Sequence, residues 1–211
     1  MHLLMTDWFL LLEKLLLIVV IVTVALVFAM YSTYAERKVA AWLQDRRGPN
    51  RAGPFGILQP FADAVKLFSK EDIIPSHSNK VLFVIGPGLA MMAALMTSAV
   101  IPWGTYIQTT THQIGLQIAD LNIAILYVFG VVALGVYGIM IGGWASNNKF
   151  SLLSALRGAS QNISYELAMG LSIIALVMMT GSLSLKEIVE GQTDHVWNIV
   201  KQPLGFLIFI I

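Results

Sequence analysis

Three carboxylates stand where an acid must answer either a nearby charge or the loss of water: Glu36, Asp63 and Glu166. Glu166 lies inside an apolar run over residues 161–180. Asn162, Glu166 and Gly170 fall at i, i+4 and i+8 and share one helix face. A carboxylate at the centre of a membrane helix costs roughly 2.5–3.5 kcal/mol on insertion scales, and less near the interface. Glu166 should therefore be partnered, hydrated or protonated. Two readings stay open for it: a proton-relay or ligand group, or an interfacial acid facing headgroups. Asp63 is embedded in a basic connection, one helical turn from Lys66. Glu36 adjoins Arg37 and Lys38 past the first long apolar run.

The same residues exclude other chemistry. There is no cysteine, which removes thiolate iron–sulfur ligation, disulfides, thiolate zinc sites and a cysteine nucleophile. The histidines, His2, His77, His112 and His195, are far apart and show no metal-ligand spacing. No metal site and no complete catalytic site is expected on this chain alone. No signal-peptide pattern opens the sequence.

Charged residues make up 12% of the 211 and hydrophobic residues 57%, against roughly 25% charged in soluble domains. Several apolar runs reach the roughly 20 residues that cross a bilayer core. The expected fold is all-α: a polytopic transmembrane helical bundle forming a single membrane domain. The spans are read at 8–34, 81–101, 118–142, 161–180 and 203–211, the last incomplete, with the chain truncated there. No Gly or Pro precedes Gly48, so the first helix can run on to about residue 40. Such a helix exceeds the core of about 30 Å and must tilt or protrude. Gly86-Pro87-Gly88 should bend the second span at its start. Gly130, Gly135 and Gly138 permit close helix contact in the third.

Of thirteen Lys and Arg, eight lie between the first two spans: Arg37, Lys38, Arg46, Arg47, Arg51, Lys66, Lys70 and Lys80. Lys149 and Arg157 lie between the third and fourth. The positive-inside rule puts the N-terminus outside and both basic connections, including residues 35–80, in the cytoplasm. Trp8, Trp103, Trp144 and Trp197 mark predicted interfaces, and residues 184–200 should cap the outer face.

The first connection contains Arg46-Arg47-Gly48-Pro49-Asn50-Arg51, then Gly53-Pro54. Gly and Pro at this density define tight turns. Leu58, Phe61, Val65 and Phe68 follow at helical spacing, with Pro60 in the first turn. They predict an amphipathic helix near the membrane surface. Attraction to anionic lipid is one reading of this basic loop. Fixed turns and an embedded Asp63 favour a docking floor for a soluble partner. Nucleic acid is not expected as a partner.

Several blocks carry a resemblance. Glu36-Arg37-Lys38, Arg47-Gly48-Pro49-Asn50-Arg51 with Gly53-Pro54, Leu58-Gln59-Pro60-Phe61-Ala62-Asp63 and Lys66-Leu67-Phe68 resemble the first cytoplasmic loop of the H subunit of bacterial NADH–quinone oxidoreductase. The mitochondrial counterpart is subunit 1 of respiratory complex I. Gly143-Trp144-Ala145-Ser146-Asn147 with Lys149, Leu156-Arg157 and Ile163-Ser164-Tyr165-Glu166 resemble the second loop.

The resemblance implies a subunit of a proton-pumping translocase in the bacterial cytoplasmic (inner) membrane. Quinone is the substrate, no group is covalently bound, and iron–sulfur clusters and flavin sit on partner subunits. Partners would be the peripheral iron–sulfur and quinone-site subunits, other membrane-arm subunits and the lipid bilayer. By resemblance, Glu36, Arg37, Asp63 and Glu166 belong to the quinone chamber and proton coupling. Arg46 to Arg51, Gly53 and Pro54 form the docking loop, and Lys66 and Arg157 support it. The closest rival is a membrane subunit of an energy-converting hydrogenase or ferredoxin-linked complex. A solute carrier should show repeated helix breaks in equivalent halves, and no internal repeat is found. A purely structural anchor for peripheral subunits is the third alternative.

Overall fold

The computed structural model describes residues 2–104, 106–108, 113–193 and 196–211. His112 and His195 lie outside the described residues. The chain divides into two compact units, residues 1–73 and 74–211.

The first unit is built on one long helix, α1 (His2–Leu43). Its apolar composition and lack of Gly or Pro let it run 42 residues, about 63 Å at 1.5 Å per residue. After α1 the chain turns sharply. Asp45 and Phe55 take left-handed backbone conformations, as do Gly53 and Gly56. A short 3₁₀ turn, Pro54–Gly56, leads to α2 (Gln59–Ser69), with Pro in its first turn. Gly56 has φ +83, and a Cβ there would run into the backbone of Pro49. Only glycine satisfies both the sign of φ and the close approach. Leu58, at the cap of α2, and Phe61, Val65 and Phe68 within it form an exposed apolar stripe, Phe68 reaching 93% exposure. The expected amphipathic helix is present.

The second unit contains α3 (Lys80–Thr97), α4 (Ala124–Ala145) and α5 (Lys149–Thr180). Together with the apolar part of α1, Leu10–Leu43, each is long and apolar enough to cross a membrane. The fold is therefore all-α and polytopic. Between α3 and α4 a small antiparallel hairpin pairs β1 (Tyr106–Gln108) with β2 (Gln113–Gly115), Ile107 opposite Ile114. After α5 come three short helices, α6 (Leu185–Glu190), α7 (Asn198–Lys201) and α8 (Pro203–Ile210).

Small residues set the helix packing. A Cβ on Gly138 would stand 2.7 Å from the Gly86 carbonyl oxygen, and one on Gly86 would stand 2.9 Å from the Gly142 backbone. Backbones of α3 and α4 thus touch directly, which only missing side chains allow. Gly130, also expected at such a contact, faces open space. Gly143 of α4 abuts Ala155 of α5 in the same way. Buried Ala93, Val131, Ala145, Ala155 and Ala159 fill the seams.

Pro87 lies inside α3. Two helix starts differ from the spans read from hydropathy. Helix α4 begins at Ala124 rather than near Ile118. There the Gln117 amide donates to the Val100 carbonyl at 2.9 Å and Ala119 N–H donates to Ala99 O at 3.0 Å. Those bonds hold the preceding segment against the end of α3. Helix α5 begins at Lys149 rather than near Gln161, because Asn148 caps it by accepting from Phe150 N–H at 3.0 Å.

Candidate functional site

In the first unit three residues of α1, spaced by three, hold the turn-rich connection. The rings of Tyr31 and Phe61 meet edge to face, with centroids 6.4 Å apart. Tyr34 donates its hydroxyl proton to the Phe55 carbonyl at 2.8 Å. Arg37 Nη1 donates to Asp63 Oδ2 at 2.6 Å. This spacing puts all three on one helix face. Further along, Ala41 is buried and Gly48 lies where a side chain would meet Lys38 and Ala41. The Lys38 ammonium sits 5.6 Å from the centre of the Tyr34 ring, a cation–π contact.

Asp63 is held from two sides. Gln59 Nε2 donates to Oδ1 at 3.1 Å, and Arg37 takes Oδ2. The Gln59 amide, then the hydrogen bond and charge of Arg37 and the charge of Lys66, hold the Asp63 carboxyl below its ordinary range, against partial desolvation. Asp63 is therefore an anion at neutral pH. Lys66, expected to support the site, contributes its field. Arg46 bonds back to Gln44, Nε to Oε1 at 2.7 Å. Arg47, Arg51 and Glu36 are exposed, and Glu36 makes no ion pair or hydrogen bond among the described residues.

In the second unit Glu166 is half-buried on α5. It lines a groove of about 420 Å³ with Asn162, Tyr165 and Met169 of α5. The walls are small and apolar: Ala90, Ala93 and Ala94 of α3, and Val132, Gly135, Val136 and Ile139 of α4. Thr97 adds a hydroxyl. Asn162 and Glu166 share the groove as their spacing predicts. Gly170 instead faces the Phe129 ring. Glu166 has no ion pair or hydrogen bond among the described residues. Arg157 is exposed on α5.

A second recess, about 740 Å³, forms where residues 75–79 meet the turn between α4 and α5. Asn147, at φ 51, donates its amide to the His77 carbonyl at 3.2 Å. Asn79 N–H donates to Ala145 O at 3.1 Å, while the Asn79 side chain caps α3.

Sequence reasoning did not assign roles to Gln59, Tyr31 or Tyr34. The i, i+4 spacing of Gln59 and Asp63 was a usable signal for the first. The tyrosines carry no such signal, because their partners lie some twenty to thirty residues away in the chain.

Among the described residues, four apolar helices of spanning length, with an amphipathic helix on the connection after the first, define a polytopic helical membrane protein. The family model described as NADH dehydrogenase matches residues 15–211. The chain is 66% identical to an NADH-quinone oxidoreductase H subunit of Cytophaga hutchinsonii over 95% of its length, covering 59% of that protein. It is 63% identical to the NADH-quinone oxidoreductase H subunit of Flavobacterium johnsoniae over 94% of its length, covering 57% of that protein. An H subunit of the same enzyme from Geobacter metallireducens is 49% identical over 92% of the chain and is covered to 59%. The chain belongs to the NADH dehydrogenase family, the family its loop motifs resemble. It spans less than two thirds of the length of these relatives.

Proposed function

We propose that this chain forms part of the quinone chamber of a proton-pumping NADH–quinone oxidoreductase and couples quinone reduction to proton movement. The observation that carries the reading is the pairing of Arg37 with Asp63, which brings the basic end of α1 and the acid of the surface helix into one site. The names of the relatives, all H subunits of that enzyme, support it.

Reducing a quinone to quinol takes two electrons and two protons. In a low-dielectric chamber the transient charge is expensive unless nearby groups respond. Carboxylates at the membrane edge respond by taking up or releasing protons. In this reading Asp63 rests ionised and clamped, Arg37 fixes its charge, and Glu36 and Glu166 are the acids free to change state. The turns from Arg46 to Pro54 form the floor on which a peripheral iron–sulfur subunit docks. Residues 35–80 face the cytoplasm, because cations gather there.

The test is inhibitor-sensitive NADH:quinone turnover in the assembled complex carrying Asp63→Asn or Arg37→Gln. Both should assemble and lose activity about tenfold or more. Full turnover in both variants would reduce this chain to an anchor. A complex that turns over with ferredoxin or hydrogen and never with quinone would favour the hydrogenase-type rival.

A further inference from the structure

We infer that Gln59 is a positioning residue that keeps Asp63 bound to Arg37 through one oxygen only, leaving the rest of the Arg37 guanidinium free to face the site. The inference rests on the quinone-chamber reading above and names a residue that reading does not use.

A carboxylate and a guanidinium left to themselves favour a fork, two parallel N–H···O bonds. Here the fork does not form. Asp63 Oδ2 receives Arg37 Nη1 at 2.6 Å, and Oδ1 is occupied by Gln59 Nε2 at 3.1 Å. The two donors come from different helices, Arg37 from α1 and Gln59 from the first turn of α2. The Tyr31–Phe61 and Tyr34–Phe55 contacts fix where α2 stands against the same face of α1. Gln59 then decides how the carboxylate is turned. A guanidinium carries five N–H donors, and one serves Asp63. The others remain for an anion or a polar oxygen entering from outside the pair. Without the Gln59 amide, Oδ1 is released and Arg37 can close on both oxygens.

The charged groups around the pair are few. Lys66 acts on Asp63 from α2. On α1, Glu36 and Lys38 flank Arg37, and Lys38 is engaged with the Tyr34 ring. None of them donates a hydrogen bond to Oδ1 among the described residues. Gln59 alone supplies that bond, and as an amide it does so regardless of pH.

The experiment compares Gln59→Leu and Gln59→Glu with the unmodified protein in the assembled complex, measuring quinone turnover from pH 5.5 to 8. Leucine removes the donor and keeps the bulk. Turnover should fall about three- to tenfold at every pH. Protonated glutamic acid has the shape of glutamine and can donate its O–H to Oδ1. Ionised, it adds a second anion beside Asp63 and draws Arg37 away. Gln59→Glu should therefore match Gln59→Leu or fall lower at pH 8 and recover severalfold as the pH falls. A residue that only fills space would give no such recovery. Unchanged turnover in Gln59→Leu, or a pH-flat loss in Gln59→Glu, would overturn the inference. Asp63→Asn separates the two levels. If that variant is impaired while Gln59→Glu shows no recovery, only the role of Gln59 fails. If Asp63→Asn turns over normally, the chamber reading fails with it.

Discussion

Asp63 and Glu166 are both acids assigned to the proposed site, yet the molecule treats them differently. Asp63 has a donor on each oxygen and a cation in contact. Glu166 looks into a groove whose other walls are methyl and methylene groups, with Asn162, Tyr165 and Thr97 as its polar neighbours. The first arrangement fixes a charge. The second gives the acid no ion pair or hydrogen bond among the described residues. A paired carboxylate resists protonation, because its partners favour the anion, whereas an unpaired one in an apolar setting is the group able to register a change in charge nearby. The two acids therefore suit different parts in the proposed function: Asp63 as a fixed charge, Glu166 as an acid on an apolar groove.

The largest effect expected comes from the turns proposed as the docking floor. Gly56→Ala forces a side chain into a left-handed conformation, costing on the order of 1–3 kcal/mol, and drives it into the backbone of Pro49. Retention of peripheral subunits on native gels should fall by more than about tenfold. The apolar helix packing of the second unit should persist, seen as unchanged helix content.

Next is the helix seam beneath the groove. Gly138→Ala places a methyl 2.7 Å from the Gly86 carbonyl oxygen. Overpacking of this kind costs about 1–3 kcal/mol. A drop of several degrees in the unfolding temperature, with turnover falling in parallel, would mark the groove as dependent on that contact.

Acid sensitivity should be a smaller effect. The Asp63 carboxyl is held below its ordinary value, so its stabilisation is fully present above the unfolded value, about 3.9. It fades as the pH falls below that through the folded value. Thermal unfolding followed from pH 6 to 3 should lose a small step that Asp63→Asn lacks. The smallest effect lies at the other end of the second unit. Lys186 pairs with Asp120 at 3.2 Å, and its ammonium is held above its ordinary value, chiefly by that hydrogen bond. Its contribution is complete below about pH 10.4 and disappears only as the pH rises beyond that. An exposed pair of this kind adds little, and Lys186→Gln should leave turnover unchanged.

Much of this architecture was readable from residue order. An uninterrupted apolar stretch foretold α1, and a stripe of Leu58, Phe61, Val65 and Phe68 foretold α2. Both signals are local, and local periodicity survives folding because each helix buries or exposes one face. The start of α5 was hidden for a related reason. Residues 149–162 mix serines, Lys149 and Arg157 with apolar positions, and a hydropathy reading sees no span there. The cap at Asn148 and the fit of Gly143 against Ala155 settle that they are helical. Likewise the acids could be named from the sequence, but not the partners of Asp63. The bond from Arg37 crosses 26 positions, and no periodicity encodes a contact made by a turn of fixed shape.

In the proposed function Glu166 is the acid coupled to quinone reduction and Asp63 a fixed charge held by Arg37 and Gln59. The most direct test is the number of protons moved per electron by the reconstituted complex carrying Glu166→Gln, an isosteric change that cannot ionise. With no partner of Glu166 lost, the complex should assemble fully while quinone-linked proton movement falls about tenfold or more. Normal assembly with an unaltered proton-to-electron ratio and unaltered turnover would contradict the account.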